Sequence, residues 1–146
     1  MTNGKNTVDL QKSVSIFENA PSTRFLQDRI DQLPVSADAK ALLMDLAELT
    51  LTVGGKVLAF GRKILAIVFD LASKFKNVLF GILIALVLSA VLATIPMLGA
   101  AISALLTPLL VAFGIARGAM EDFGNMSVQR EIDGLKQRMS ILASHI

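Results

Sequence analysis

Residues 78–116 read VLFGILIALVLSAVLATIPMLGAAISALLTPLLVAFGIA, a run of 39 residues without Asp, Glu, Lys or Arg. In the whole chain of 146 residues, 53% are hydrophobic and 18% are charged, whereas about 25% are charged in an average soluble domain. A domain of this length has little interior in which to bury such a run. The sequence therefore predicts an all-α integral membrane protein built around this segment.

The run is long enough for two spanning helices, because one helix needs about 20 apolar residues. Residues 94–99, TIPMLG, predict a turn, since Pro96 disfavours helix in the residue before it and Gly99 can adopt a left-handed conformation. The two halves, 78–95 and 98–116, would each span roughly 27–29 Å. Their Leu, Ile, Val and Phe content favours insertion into a bilayer, so we expect a transmembrane hairpin.

Small residues recur along both halves of the hairpin. They are Gly81, Ala85, Ser89 and Ala93 in the first half and Gly99, Ser103, Thr107, Gly114 and Gly118 in or after the second. Small side chains let helix backbones approach closely in lipid. We expect these positions to pack helices within the hairpin or between copies, or to line a pore made by several copies.

Two other arrangements fit the same apolar run. In one, the hairpin is buried inside a soluble helical bundle, as in pore-forming colicins, although few residues remain here to cover it. In the other, the hairpin enters one leaflet only, as in oleosins and caveolins. The absence of Trp and Tyr, which usually mark membrane interfaces, favours this second alternative. However, the chain has neither the oleosin proline knot nor a caveolin signature.

The segment before the run is periodic and basic. Apolar residues recur at helical spacing from Leu42 to Phe75, which predicts a helix over 37–53 capped by Ser36, a hinge at 54–55 and a second helix over 56–76. The basic residues of 56–77 are Lys56, Arg62, Lys63, Lys74 and Lys76. We expect this second helix to be an amphipathic collar whose cations contact lipid head groups or a partner.

The segment after the run has a heptad pattern. Its apolar seam consists of Val128, Ile132, Leu135, Met139 and Leu142. This seam predicts a helix that packs on another helix, either the same helix of a second copy or the 37–53 helix of its own chain. At the other end of the chain, two short helices are predicted over 8–19 and 23–32. The predicted organisation is thus an N-terminal helical region (1–55), a collar (56–77), the hairpin (78–116) and a C-terminal helix (117–146).

Residues that carry chemistry are scarce. The chain has no cysteine, and its single histidine is His145, so we expect no metal site and no cofactor. The sequence Gly54-Gly55-Lys56 lacks the spacing of a phosphate loop. The basic residues lack the interleaved aromatic side chains of a nucleic-acid surface. We therefore expect no catalytic residue, no enzymatic activity and no nucleic-acid partner.

The function that these features favour is perturbation of a bilayer by a self-assembling membrane protein that forms a pore or otherwise permeabilises it. Phage holins and the small membrane effectors of bacterial antiviral systems share this general build. Basic residues flank the hairpin and none lies in its turn, so both termini should be cytoplasmic, at the inner membrane if the protein is bacterial. The alternative function is a non-conducting anchor or scaffold that recruits a soluble partner through its N-terminal helices.

Overall fold

The structure is a computed structural model, and it describes residues 11–12, 15, 20–95, 98–115 and 126–144. Within these residues, six helices and two short strands follow one another along the chain, so the fold is mostly helical, as the sequence predicts. The elements are α1 (Thr23–Asp31), α2 (Ala37–Ala47), β1 (Leu51–Val53), β2 (Lys56–Leu58), α3 (Phe60–Lys74), α4 (Phe80–Thr94), α5 (Gly99–Ala112) and α6 (Met126–Ala143).

Serine side chains begin the first two helices. The Ser22 hydroxyl accepts a hydrogen bond from the Phe25 amide, and the Ser36 hydroxyl accepts one from the Ala39 amide, both at 3.2 Å. Each bond satisfies an amide that has no partner within its helix. The predicted cap at Ser36 is confirmed, and α1 matches the predicted helix over 23–32. The predicted helix over 8–19 lies mainly outside the described residues.

A β-hairpin replaces the predicted hinge between two helices. Strands β1 and β2 pair antiparallel, with Leu51 opposite Leu58 and Val53 opposite Lys56. The turn residues Gly54 and Gly55 have φ angles of 59° and 81°. Positive φ at both central residues is the geometry that matches the twist of a two-residue hairpin. The predicted extension of the first helix to residue 53, and the start of the second at 56, are therefore wrong.

Helix α3 begins after the hairpin and packs tightly against the end of α2. The Gly61 amide donates a 2.8 Å hydrogen bond to the Leu49 carbonyl oxygen. A Cβ atom at position 61 would overlap the Leu46 carbonyl oxygen, which belongs to the α2 backbone. A glycine at this position therefore allows α2 and α3 to approach each other. Gly61 is not among the small residues that the sequence predicts to pack helices closely.

The apolar run forms α4 and α5, which are shorter than predicted. Helix α4 has 15 residues and rises about 22 Å, whereas a bilayer core is about 30 Å thick. Among the helices of the described ranges, none combines the length and apolar character that crossing a membrane requires. The prediction of two spanning helices over 78–95 and 98–116 is therefore not met. Of the predicted turn, Pro96 lies outside the described residues.

Gly114 ends α5, where the sequence analysis assigned it to helix packing. Its φ angle is 67°, and the Ile115 amide donates a 2.8 Å hydrogen bond to the Leu110 carbonyl oxygen. A left-handed glycine with a hydrogen bond that spans five residues is a Schellman motif, which stops a helix. Gly114 therefore lies just beyond the end of α5 and not within a continuous helix, while its role in packing between copies stays a prediction. Its predicted companion Gly118 lies outside the described residues.

One hydrophobic core joins all these elements. Helix α4 lies in its middle and contacts α3, α5 and α6, while α2 contacts α1, α3 and α5. Among the most deeply buried side chains are Phe60, Ile64, Leu83 and Leu88, all at 0% exposure. The central position of α4 follows from its composition. A helix that is surrounded on several sides removes more apolar surface from contact with water than a helix at the edge of the bundle does.

Substitution of Gly61 tests the close approach of α2 and α3. We expect Gly61→Ala to lower the free energy of unfolding by about 1–3 kcal/mol, because the added methyl group displaces the α2 backbone. The control is Gly134→Ala in α6, where a Cβ atom meets nothing within 4 Å. This control should raise the free energy of unfolding by about 0.5–1 kcal/mol through helix propensity. Urea denaturation of both variants measures the difference, and equal effects would contradict the packing described here.

Candidate functional site

The two helices of the apolar run are buried to very different extents. Nine of the 15 residues of α4 are buried, and its sides are covered by α3, α5 and α6. Only Ile102, Leu109 and Leu110 are buried among the 14 residues of α5. Helix α5 therefore lies at the surface of the bundle although its sequence is as free of charge as that of α4.

The outer face of α5 is apolar and uncharged. Its exposed residues are Ala100, Ala101, Ser103, Ala104, Thr107, Pro108 and Val111. Val111 has 75% of its surface exposed, and Leu79, just before α4, has 67%. We call the seven exposed α5 residues named above, from Ala100 to Val111, the α5 outer face. Scattered apolar residues are normal on a protein surface, but a whole helix face without a charged residue is typical of an interaction site.

The small residues predicted to pack helices lie in two environments, one buried and one at least partly exposed. Gly81 and Ala85 are buried, and a Cβ atom at Gly81 would lie 2.6 Å from the Phe113 Cβ atom. If position 81 had a Cβ atom, the Phe113 side chain would have to move away from it. Gly81 therefore allows α4 to pack closely on the end of α5. Ser89 is partly buried and Ala93 is exposed. Gly99 is also partly buried, with the Leu92 side chain 4.0 Å from a Cβ atom placed there.

An aromatic column connects α1 to the end of α5. The Arg29 guanidinium lies 5.7 Å from the Phe25 ring centre and 4.8 Å from that of Phe69. Phe69 lies 5.3 Å from Phe80, which lies 6.0 Å from Phe113 in an edge-on arrangement. These cation–π and aromatic contacts join α1, α3, α4 and α5. Sequence reasoning missed the column, because only the i, i+4 spacing of Phe25 and Arg29 is local.

Helix α6 covers α4. All five residues of the predicted seam are buried at 9% exposure or less, and they belong to the core of their own chain. The helix predicted from the heptad pattern is thus confirmed. Its partner is α4, whereas the sequence analysis proposed a second copy or the 37–53 helix. Because the seam is occupied by α4, it is unavailable to another copy in this conformation.

The five predicted collar cations do not form one surface. Arg62 is partly buried and donates a 3.0 Å hydrogen bond to the Pro21 carbonyl oxygen. Lys56 belongs to strand β2, and Lys76 is exposed in the connection between α3 and α4. Lys63 and Lys74 lie on α3 and border a groove of about 450 Å³ between α3 and α6. Folding therefore divides the predicted collar among several places.

The groove is lined by side chains of both charges from α3 and α6. The Lys74 Nζ atom lies 3.2 Å from an Asp70 carboxylate oxygen. The hydrogen bond and charge of Asp70, with a further contribution from Glu131 on α6, raise the pKa of Lys74 above its usual value. Lys74 is therefore fully protonated at neutral pH. Arg130 and Arg138 of α6 also border the groove, and sequence reasoning missed them.

Comparison with known proteins gives no relative from which a function could be transferred. No family model matches the chain, and neither the search of curated proteins nor that of solved structures gives a match.

The cover that α6 provides can be weakened by one substitution. Met139 is 0% exposed at the seam, so we expect Met139→Ala to lower the free energy of unfolding by about 2–5 kcal/mol by leaving a cavity. The control is Gln137→Ala, since Gln137 is exposed on the same helix. It should change the free energy of unfolding by no more than about 0.5 kcal/mol. Thermal denaturation measures the unfolding midpoints of both variants. Equal midpoints for Met139→Ala and Gln137→Ala would contradict this packing.

Proposed function

We propose that this protein acts on a lipid bilayer through the α4–α5 hairpin, and that several copies assemble to permeabilise or otherwise perturb it. The observation that carries the proposal is the α5 outer face. A surface helix that buries three of its 14 residues, yet has no charged side chain, is poorly matched to water and well matched to lipid.

The polar groups of α4 support the same proposal. The Thr94 hydroxyl donates to the carbonyl oxygens of Ala90 and Val91, at 3.1 and 3.3 Å, within its own helix. Unsatisfied polar groups are costly in hydrocarbon, whereas a hydroxyl bonded within its own helix is tolerated there. Since α4 has no ionisable residue, the helix can exchange protein contacts for lipid without desolvating a charge.

Bilayer insertion of the hairpin would require α3 and α6, the helices that cover α4, to separate from it. Helices α3 and α6 contact α4 through apolar side chains, and lipid chains would replace that apolar environment. The proposed function therefore requires two conformations of the chain, one with the hairpin packed in the bundle and one with the hairpin in lipid. This packed form is the buried-hairpin arrangement that the sequence analysis treated as an alternative.

Assembly of several copies is part of the proposal because two helices cannot enclose a water path. Ser103 and Thr107 lie one helical turn apart on the α5 outer face, as do Ala100 and Ala104. These small residues would allow close helix contacts between copies in lipid, and the two hydroxyl groups would offer polar atoms to a pore.

A charge on the α5 outer face tests the proposal. We expect Ser103→Asp to reduce dye release from vesicles at least about tenfold. An Asp costs about 2.5–3.5 kcal/mol at the centre of an inserted helix, and Ser103 lies inside α5, four residues from its start. The control is Ser140→Asp, since Ser140 is exposed on α6, outside the apolar run. It should leave dye release near that of the unsubstituted chain. The measurement uses full-length protein and vesicles that contain anionic lipid.

The outcome also separates this function from the anchor alternative. If the unsubstituted chain binds vesicles by flotation but never releases dye, the permeabilising function is wrong and an anchor remains. If Ser103→Asp and Ser140→Asp release dye equally, the hairpin is not the active element. Met139→Ala provides the opposite change, since a weaker cover over α4 should increase dye release, whereas Gln137→Ala should not.

A further inference from the structure

The groove between α3 and α6 has the composition of an anion site with an apolar floor. Its lining residues are Lys63, Ile67, Asp70, Leu71, Lys74, Arg130, Glu131, Gly134, Leu135 and Arg138. Four of these side chains are cationic and two are anionic, so the formal charge of the lining is positive. Leu71 and Leu135 are 3% and 9% exposed and form part of the floor. A ligand that matches this lining carries negative charge on one part and apolar surface on another.

Three of the four cations remain available to a ligand. The Lys74–Asp70 ion pair occupies one lysine and one carboxylate. The side chains of Lys63, Arg130 and Arg138 make no hydrogen bond or ion pair with any residue in the part of the chain that the structure describes. Two guanidinium groups and one ammonium group can donate several charge-assisted hydrogen bonds, and phosphate oxygens are acceptors that suit them.

Space for a ligand comes from a glycine on α6. A Cβ atom at Gly134 would meet nothing within 4 Å, so the groove is open above this residue. Glu131, Gly134 and Arg138 follow one another at i, i+3 and i+7, which places them on one face of α6 beside the buried seam. That spacing is the signal in the sequence that could have identified the site.

We propose that the α3–α6 groove binds a phosphate ester of net negative charge, with Lys63, Arg130 and Arg138 around the phosphate and the ester's apolar part over Leu71 and Leu135. A phospholipid head group and a soluble organic phosphate share this chemistry. The site does not depend on bilayer insertion, and its occupation would bridge the two helices that cover α4. A ligand that binds only the bundled form stabilises that form by mass action.

Calorimetric titration of the full-length chain at low ionic strength tests the site without vesicles, because salt screens exposed charges. The probes are dihexanoylphosphatidylglycerol below its micelle concentration, glycerol 3-phosphate, and dihexanoylphosphatidylcholine as a lipid without net charge. We expect Arg130→Gln/Arg138→Gln to weaken phosphatidylglycerol binding at least about tenfold, since hydrogen bonds to charged groups are lost. The control, Arg24→Gln/Lys136→Gln, removes the same charge from exposed positions outside the groove and should change affinity by no more than about twofold.

A second variant, Gly134→Leu, tests the groove without changing the charge of the chain. Gly134→Leu should fold, because its Cβ atom has open space and Leu favours helix, yet its side chain should fill the groove and abolish binding. Equal affinity for phosphatidylcholine, equal weakening by the two double variants, or no binding of any probe would each overturn the site. If glycerol 3-phosphate binds as well as phosphatidylglycerol, the source is a soluble phosphate. If only phosphatidylglycerol binds, the source is a lipid.

Discussion

Burial of the charge-free helix α4 is the constraint on which the rest of this structure depends. A helix that is apolar on all sides needs partners on several of them, and here α3, α5 and α6 supply these partners. The requirement explains why α3 and α6 are amphipathic, each with one apolar face toward the core and charged residues outside. It also explains why the heptad seam of α6 contacts its own chain, since α4 and the seam are parts of one hydrophobic core.

The parts of the fold that follow from local patterns could be predicted from the sequence. Helical periodicity located α3 and α6, and Ser36 located the start of α2. The failure at residues 51–58 has a physical cause. Val53, Val57 and Phe60 continue the helical spacing by coincidence, while the pair Gly54-Gly55 between short segments rich in β-branched residues is a hairpin signal. Two glycines that can both adopt positive φ outweighed the periodicity.

The candidate site was predictable only in part, because it combines residues that are distant in the sequence. Hydropathy identified the α4–α5 hairpin, but the contrast between a buried α4 and an exposed α5 depends on which helices pack where. Likewise, the charge of residues 56–77 was evident, yet the groove needs Arg130 and Arg138 from a helix more than fifty residues away. The aromatic column through Phe69 and Phe80 depends on tertiary contacts in the same way.

The unequal burial of α4 and α5 determines the order of events that the proposed bilayer function requires. The free energy that holds a helix in place scales with the apolar surface that it buries, at about 25 cal/mol per Å². Helix α5 has three buried residues, whereas α4 has nine. Of these two helices, α5 is therefore the one whose local opening costs less, and it has no charge to desolvate. Under the proposed bilayer function, the exchange of protein contacts for lipid would begin at α5, and α4 would follow only after α6 had separated from it.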